Sequence, residues 1–112
     1  MTPTGLLHPT DDMEASVRYF RDVLGLKQKF RDGDRYCAFE LGGMALGLVA
    51  GEEKIVDAPT LVFRADDIDA AINTMTGNGA KIVRPKERGP HEDRVILSVP
   101  GGGAVVVSAK IK

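Results

Sequence analysis

Residues 11–26 have the sequence DDMEASVRYFRDVLGL, and fifty-five positions further on residues 66–80 repeat its outline as DDIDAAINTMTGNGA. Both copies place an acidic pair before apolar residues at helical spacing, and both end near a glycine, Gly25 or Gly79. Such a segment predicts a helix that begins at an acidic N-cap and ends at a glycine. A repeat of this period also predicts two modules, neither of them long enough to bury a stable core alone.

The acidic pairs make a more specific prediction for the helix ends. Asp11 stands three residues before Glu14, which is the spacing of a capping box. Asp66 stands in the same relation to Asp69. We therefore expect Asp11 and Asp66 to be the N-caps. The first helix is expected to bury one stripe, formed by Met13, Val17, Phe20 and Leu24.

Apolar segments bounded by turn residues predict four strands around each helix. In the first half they are expected at residues 4–9, 26–30, 35–41 and 44–49. In the second half they are expected at residues 60–65, 81–84, 94–99 and 104–111, with a long polar loop at 85–93. Each half then has the order strand, helix, three strands. This order predicts one α+β domain over residues 1–112, built from two tandem βαβββ modules that form a curved mixed sheet with a central cleft. The expected modules are residues 4–49 and 59–112, with a linker at 50–58.

The bulk composition is that of an ordinary globular protein, with 43% hydrophobic and 28% charged residues. The net charge of −1 and the pI near 6.1 lack the basic excess of most nucleic-acid-binding domains. One cysteine, Cys37, excludes an internal disulfide and a cysteine-rich zinc site. No apolar run reaches 18 residues, and the first residues lack a signal-peptide pattern. We expect a cytoplasmic protein with neither nucleic acid nor membrane as a partner.

The two helix segments resemble those of the vicinal-oxygen-chelate superfamily, which includes glyoxalase I, bleomycin-resistance proteins and extradiol dioxygenases. Residues 12–26 are similar to its helix signature, residues 62–71 resemble its second-module entry, and residues 100–102 stand where the family commonly has Asp-Pro-Asp-Gly. The resemblance implies the βαβββ fold and a homodimer. It also implies four metal-ligand positions, one on each of four strands, which fall here on Gly5, Gly47, Thr60 and Val106. Glycine and valine cannot coordinate a metal and threonine is a poor ligand, so we expect a branch that binds no metal and no other cofactor.

Strand alternation predicts which residues face the cleft. If the four positions above face it, the larger apolar side chains at alternate positions, including Leu46, Leu48, Leu61 and Phe63, should meet the helices. Small residues at positions 5, 45, 47 and 104 then predict an open cleft, which suits a bulky, mostly apolar ligand fixed by a few polar groups. The predicted ligand-binding residues are Tyr36, Glu40, Gly47, Thr60, Val62, Arg64, His91, Arg94 and Val106.

These features favour stoichiometric capture of an antibiotic or hydrophobic metabolite, as in the bleomycin-resistance group, and leave open whether a reaction is catalysed. Glu40, a carboxylate among small apolar residues, could have a raised pKa and act as a general base. His91 could serve proton transfer or simply lie in an exposed loop, while His8 is expected to point away from the cleft. The alternative is therefore a lyase, isomerase or dioxygenase-like enzyme that uses Glu40 as a base or binds a metal through His8, Glu40 and His91. A purely structural module would instead predict a filled cleft.

Overall fold

The order of strands and helices in the structure follows the repeat. A computed structural model of the chain describes residues 1–111, which contain eight strands and two α-helices. The elements are β1 Thr2–Pro9, α1 Met13–Arg18, β2 Gln28–Asp32, β3 Tyr36–Leu41, β4 Met44–Val49, β5 Thr60–Arg64, α2 Ile68–Gly77, β6 Lys81–Arg88, β7 Glu92–Ser98 and β8 Ala104–Lys110. The strand order is β2-β3-β4-β1-β5-β8-β7-β6; the pairs β1–β4 and β5–β8 are parallel and the hairpins antiparallel. The predicted α+β fold with a mixed sheet is confirmed.

The chain divides into two compact units. The N-terminal unit is Gly5–Thr60, and the C-terminal unit comprises Met1–Thr4 together with the chain from Leu61 onwards. The predicted linker, residues 50–58, lies in the N-terminal unit, where Gly51–Glu53 forms a 3₁₀ turn. Within residues 1–111, no helix is long and apolar enough to cross a membrane.

In the N-terminal unit, α1 packs on one face of β3 and β4. Because side chains alternate along a strand, every second residue of these strands faces the helix. The buried cluster contains Met13, Val17, Cys37, Phe39, Leu46, Leu48 and Ala50. The predicted core-facing phase of β3 and β4 is therefore confirmed. The two-residue turn also has the predicted register, with Leu41 opposite Met44 and Glu40 opposite Ala45.

In the C-terminal unit, α2 packs over β8 and β6, with the core between them. The buried cluster contains Ala65, Ile68, Ala71, Ala80, Val95, Leu97, Val107 and Ala109. Leu61 was expected to meet a helix, but it is 47% exposed, so this prediction is wrong. Strand β5, which carries it, lies to one side of the strands that α2 covers.

The helices begin one residue later than the capping boxes predict. Asp12 caps α1 by accepting a hydrogen bond from the backbone N–H of Ala15 (3.0 Å), and Asp67 caps α2 in the same way (3.0 Å). The predicted N-caps Asp11 and Asp66 are wrong. A cap carboxylate must reach an amide in the first helical turn, and the first helical residues follow directly after Asp12 and Asp67.

Helix α1 continues into a π-helical turn, Tyr19–Val23. The N–H of Leu24 donates to the carbonyl of Tyr19 at 3.0 Å, across five residues. Leu24 is 53% exposed, although its spacing from Phe20 predicted burial. That part of the predicted stripe is wrong, because an α-helical period does not hold through a turn that contains an extra residue.

Strand β6 is longer than predicted. It runs over Lys81–Arg88, and the turn to β7 takes only residues 89–91, so the predicted loop at 85–93 is wrong. The pairing of β6 with β7 shifts register on both sides of Arg84, and Pro85 lies in this irregular segment. Proline is tolerated at edges and bulges because it has no N–H to donate to a neighbouring strand.

Strand β6 is also the last strand in the sheet order, so one of its edges has no strand partner in the described chain. Ile82 and Val83 on this strand are 49% and 62% exposed. The edge is therefore apolar in part, and it is interrupted by a proline.

Candidate functional site

In the C-terminal unit, the strand face opposite α2 carries four of the predicted ligand-binding residues. This face, here called the distal face of the C-terminal unit, is formed by Val62, Arg64, Arg94, Ile96, Val106 and Ser108. The register aligns Val62 with Val106 and Val106 with Ile96. It also aligns Arg64 with Ser108 and Ser108 with Arg94. The predicted common orientation of Val62, Arg64 and Val106 is confirmed by this pairing.

Arg94 is buried, with 7% of its surface exposed, and is held by a carboxylate of its own hairpin. Its Nε donates to Oε1 of Glu87 at 3.2 Å, and Nε of Arg84 donates to the same oxygen at 2.7 Å. The hydrogen bond from Arg84, together with that from Arg94, lowers the pKa of Glu87, so the carboxylate stays charged at neutral pH. A Cβ atom on Gly89 would lie 2.9 Å from Nη1 of Arg94. Arg94 thus stabilises the β6–β7 hairpin.

Glu87 has a defined role that the sequence prediction missed, because residues 85–93 were expected to form a loop. In the structure Glu87 lies directly opposite Arg94 in the β6–β7 ladder. The Gly89-Pro90 pair was a usable signal, since it marks a turn that brings opposite charges on the flanking segments together. His91 lies in that turn and is exposed.

Arg64 lines an open groove of about 540 Å³ in the C-terminal unit. The groove runs along the first residues of β1 and the start of α2, and its polar lining includes Thr4, Asp66 and Asp67. Arg64 has no ion pair within residues 1–111. Arg64 at the end of β5, together with Asp66 and Asp67, borders this groove, so residues of both charge signs line it and no single class of ligand is indicated.

Thr60, the remaining predicted ligand-binding residue of β5, makes a hydrogen bond to the backbone just before its own strand. It is 8% exposed, and its hydroxyl donates to the carbonyl of Ala58 at 2.7 Å. This hydrogen bond satisfies the hydroxyl proton, and it fixes the start of the strand.

In the N-terminal unit, the strand face opposite α1 is the distal face of that unit, formed by Leu7, Phe30, Tyr36, Ala38 and Gly47. Two predicted ligand-binding residues meet here: a Cβ atom on Gly47 would lie 2.9 Å from Cε1 of Tyr36. At Gly5, where φ is +153°, a Cβ atom would lie 1.8 Å from the carbonyl oxygen of Ala45. Open space was predicted at positions 5 and 47, and this is wrong, because a backbone carbonyl and an aromatic ring occupy it.

Glu40 does not have the raised pKa that was predicted. Its Oε1 accepts from the backbone N–H of Gly43 at 2.8 Å, and its other oxygen lies 3.3 Å from Nζ of Lys29. The hydrogen bond from Gly43 is the largest cause, with Lys29 next, of a pKa below the ordinary value. Its side chain is 42% exposed, so burial does not offset these contacts. Glu40 is an ionised carboxylate at the hairpin turn and has the wrong shift for a general base near neutral pH.

His8 points toward α1, as predicted. Its ring meets that of Phe20 edge-on, with centroids 5.3 Å apart. Its Nδ1 is buried and has no hydrogen-bond partner among residues 1–111. Glu40 belongs to the opposite face of the same strands, since it pairs with Ala45. His8 and Glu40 therefore cannot join His91 in the alternative metal site.

The four positions at which the resemblance places metal ligands carry poor donors. Gly5 and Gly47 have no side chain, Val106 has no donor atom, and the hydroxyl of Thr60 is bound to a backbone carbonyl. Among residues 1–111, no three His, Cys, Asp or Glu side chains are grouped so that they could hold a metal ion. These residues do not fit a divalent ion.

Residues 6–106 match the family model described as the glyoxalase/bleomycin resistance protein/dioxygenase superfamily, and the chain belongs to this superfamily. An uncharacterised protein of Mycolicibacterium smegmatis is 25% identical over 104 residues, which are 92% of this chain and 89% of that protein. A superfamily member from Vibrio splendidus has a similar structure (TM-score 0.70, 18% identity, covering 97% of this chain and 100% of that one). Methylmalonyl-CoA epimerase from Mycobacterium tuberculosis has a TM-score of 0.69 at 17% identity, covering 99% and 89%. These likenesses confirm the predicted fold.

Proposed function

We propose that this protein captures a small, mostly apolar molecule stoichiometrically and without a metal ion. The proposal depends on one observation, namely that the four metal-ligand positions carry side chains that cannot coordinate a metal ion well. Two are glycines whose side-chain space is taken by a carbonyl oxygen and by the Tyr36 ring, and Thr60 and Val106 offer no strong ligand. The superfamily name includes bleomycin resistance proteins, and the resemblance to that group implies capture rather than catalysis.

Ligand contacts are proposed for each unit by itself, on its own distal face. In the N-terminal unit, Tyr36 supplies an aromatic ring. In the C-terminal unit, the partly exposed Val62 supplies apolar surface, and Arg64 is a cation without an ion pair in residues 1–111. Val106 is only 2% exposed and is not among the proposed contacts. A pocket with mostly apolar lining and a few polar groups is typical of sites for such molecules. The ligand is an antibiotic or a hydrophobic metabolite.

A thermal-shift screen of purified protein against hydrophobic antibiotics and metabolites tests the proposal. A ligand present at one hundred times its Kd stabilises a fold by about 2.7 kcal/mol. For a domain of this length that raises the Tm by on the order of 10 °C. The same shift is expected after treatment with EDTA. Stoichiometric metal in the purified protein, or a shift that EDTA abolishes, would contradict the proposal.

The catalytic alternative is a lyase or isomerase that uses no bound metal. The likeness to an epimerase supplies a reaction class to test, namely proton exchange at a carbon next to a thioester carbonyl. Proton exchange into solvent deuterium, followed by NMR with a methylmalonyl thioester, would detect this activity. Turnover that survives EDTA treatment would place the protein among the enzymes of the superfamily.

We also propose that the protein is a homodimer, as the resemblance implies. Size-exclusion chromatography with light scattering is expected to give twice the chain mass of 12.0 kDa. A mass equal to one chain at micromolar concentration would contradict this.

A further inference from the structure

One cross-strand row on the distal face of the N-terminal unit has large residues at its ends and the smallest ones in the middle. Phe30 lies opposite Ala38, Ala38 opposite Gly47, and Gly47 opposite Leu7. Neighbours in such a row are about 4.8 Å apart, the spacing of paired strands. The middle of the row is therefore a shallow depression two strands wide.

The ring of Tyr36 lies in this depression. A Cβ atom on Gly47 would be 2.9 Å from Cε1 of Tyr36 and 3.1 Å from its hydroxyl oxygen, so the ring extends across β4. It can do so only because residue 47 has no side chain. Leu7 closes the far side, with Cδ2 3.1 Å from the same point. Glycine at 47 thus lets the ring of Tyr36 lie against the strands.

Phe30 extends this aromatic surface to the edge of the unit. Its ring centroid lies 6.3 Å from that of Tyr36, the planes are tilted by 47°, and Phe30 is 49% exposed. Aromatic rings attract other rings in offset-stacked or edge-to-face arrangements at centroid distances of about 4.5–7 Å. A flat ring that stacks parallel to one of these two rings would be tilted by 47° to the other.

We propose that Phe30 and Tyr36 form a stacking platform for a planar aromatic ring in the ligand. The inference rests on the proposed capture function and names the chemical class of the molecule captured. A saturated ring gains contact area on such a surface but lacks the π-system for stacking.

A pair of probes that share a carbon skeleton separates these contributions. The probes are 2-naphthol, which is planar, and decahydro-2-naphthol, its saturated counterpart. Their dissociation constants would be measured by calorimetry for the natural protein and for Phe30→Leu and Tyr36→Leu. Each substitution is expected to weaken 2-naphthol binding about threefold to tenfold, the range that aromatic pairs contribute, and to change binding of the saturated probe by less than about twofold.

Two further variants serve as controls. Tyr36→Phe keeps the ring and is expected to retain 2-naphthol affinity, which separates stacking from a general loss of structure. Tyr19→Leu removes the other tyrosine of the chain, which is 54% exposed in the π-helical turn, and is expected to leave both affinities unchanged. In a Tyr19→Phe background the tyrosine ring protons seen by NMR belong to Tyr36 alone, and 2-naphthol should shift them upfield.

The outcomes distinguish this inference from the proposed function. If the Leu variants weaken the binding of both probes equally, or of neither, the stacking platform is wrong, but the proposed capture function is not affected. The platform is equally wrong if neither probe binds while other small molecules stabilise the protein in the thermal screen. If no small molecule stabilises the protein, the capture function fails and the platform fails with it.

Discussion

The two units place different residues at equivalent points of the same strand pattern. Strands β2-β3-β4-β1 in one unit and β6-β7-β8-β5 in the other each combine two hairpin pairings with one parallel pairing. At the middle of this pattern the N-terminal unit has Ala38 opposite Gly47, and the C-terminal unit has Ile96 opposite Val106. Two residues earlier on the same central strands, Tyr36 corresponds to Arg94.

This difference shows that a repeated backbone need not repeat its chemistry. Ile96 and Val106 fill their own positions with branched side chains and are 4% and 2% exposed. Ala38 and Gly47 leave space that the ring of Tyr36 enters from the neighbouring position. Arg94, in the corresponding place, is held by Glu87 of its own hairpin. The aromatic platform is therefore proposed for the N-terminal unit alone.

The largest effect is expected from Gly5→Ala in the N-terminal unit. The added methyl group would collide with the carbonyl of Ala45 at 1.8 Å, and φ at this position is +153°. Overpacking and the unfavourable φ together should cost about 3–5 kcal/mol in the free energy of unfolding, measured by urea titration. Gly33→Ala is the control, since its φ is +55° but its surroundings are open, and it should cost only about 1–2 kcal/mol. Equal costs would show that the Gly5–Ala45 approach is not restrictive.

Glu87→Ala tests the ion pair that distinguishes the C-terminal unit. It removes the carboxylate that accepts from Arg84 and from the buried Arg94, and we expect a loss of about 1–2 kcal/mol, allowing for partial exposure of Glu87. Asp69→Ala, which removes an exposed ion pair with Lys86, should leave the urea midpoint almost unchanged. Indistinguishable midpoints for the two variants would show that the buried contact adds nothing.

Gly47→Ala makes the middle of the N-terminal unit more like that of the C-terminal unit. The new methyl group would press on the Tyr36 ring at 2.9 Å, but a side chain can move, so the cost should be about 1 kcal/mol. In a Tyr36→Leu background the same change should cost much less, because the ring is gone. A double-mutant cycle measured by urea unfolding gives the coupling. Additive free energies would mean that the Tyr36 ring does not depend on Gly47.

The smallest effect is expected on the stability of the fold at acid pH, when one carboxylate in each unit is replaced. The pKa values of Glu40 and Glu87 are both lowered in the folded state. Each therefore contributes stability above its unfolded pKa, and that contribution is lost as the pH falls through the folded pKa. Glu87→Gln should flatten the fall in Tm between about pH 5 and pH 3 more than Glu40→Gln does, since only Glu87 contacts a buried arginine. The reverse order would contradict the assignment.

Local sequence signals predicted most of the fold and little of the site. The Gly42-Gly43 turn fixed the register of β3 and β4, and strand alternation correctly turned Phe39 to the core. The N-caps were misplaced by one residue because each helix has two adjacent aspartates that could serve. The π-helical turn has no sequence signal at this level, so the exposure of Leu24 was not predictable.

The site could not be predicted because it depends on side-chain placement. Tyr36 was correctly assigned to the face opposite α1, but nothing in strand alternation says that its ring lies across Gly47. Glu40 was assigned a raised pKa from its apolar neighbours in sequence. Its actual partners are the backbone N–H of Gly43 and the ammonium of Lys29, and both favour the charged form.

The proline in β6 has a consequence for how this protein behaves at high concentration. An uncovered sheet edge with exposed Ile82 and Val83 could template a strand of a neighbouring molecule and so start a fibril. Pro85 has no N–H to donate to an incoming strand, and the irregular pairing around Arg84 disturbs the flat geometry that stacking requires. We therefore expect this short segment to disfavour strand addition and to slow aggregation at high concentration.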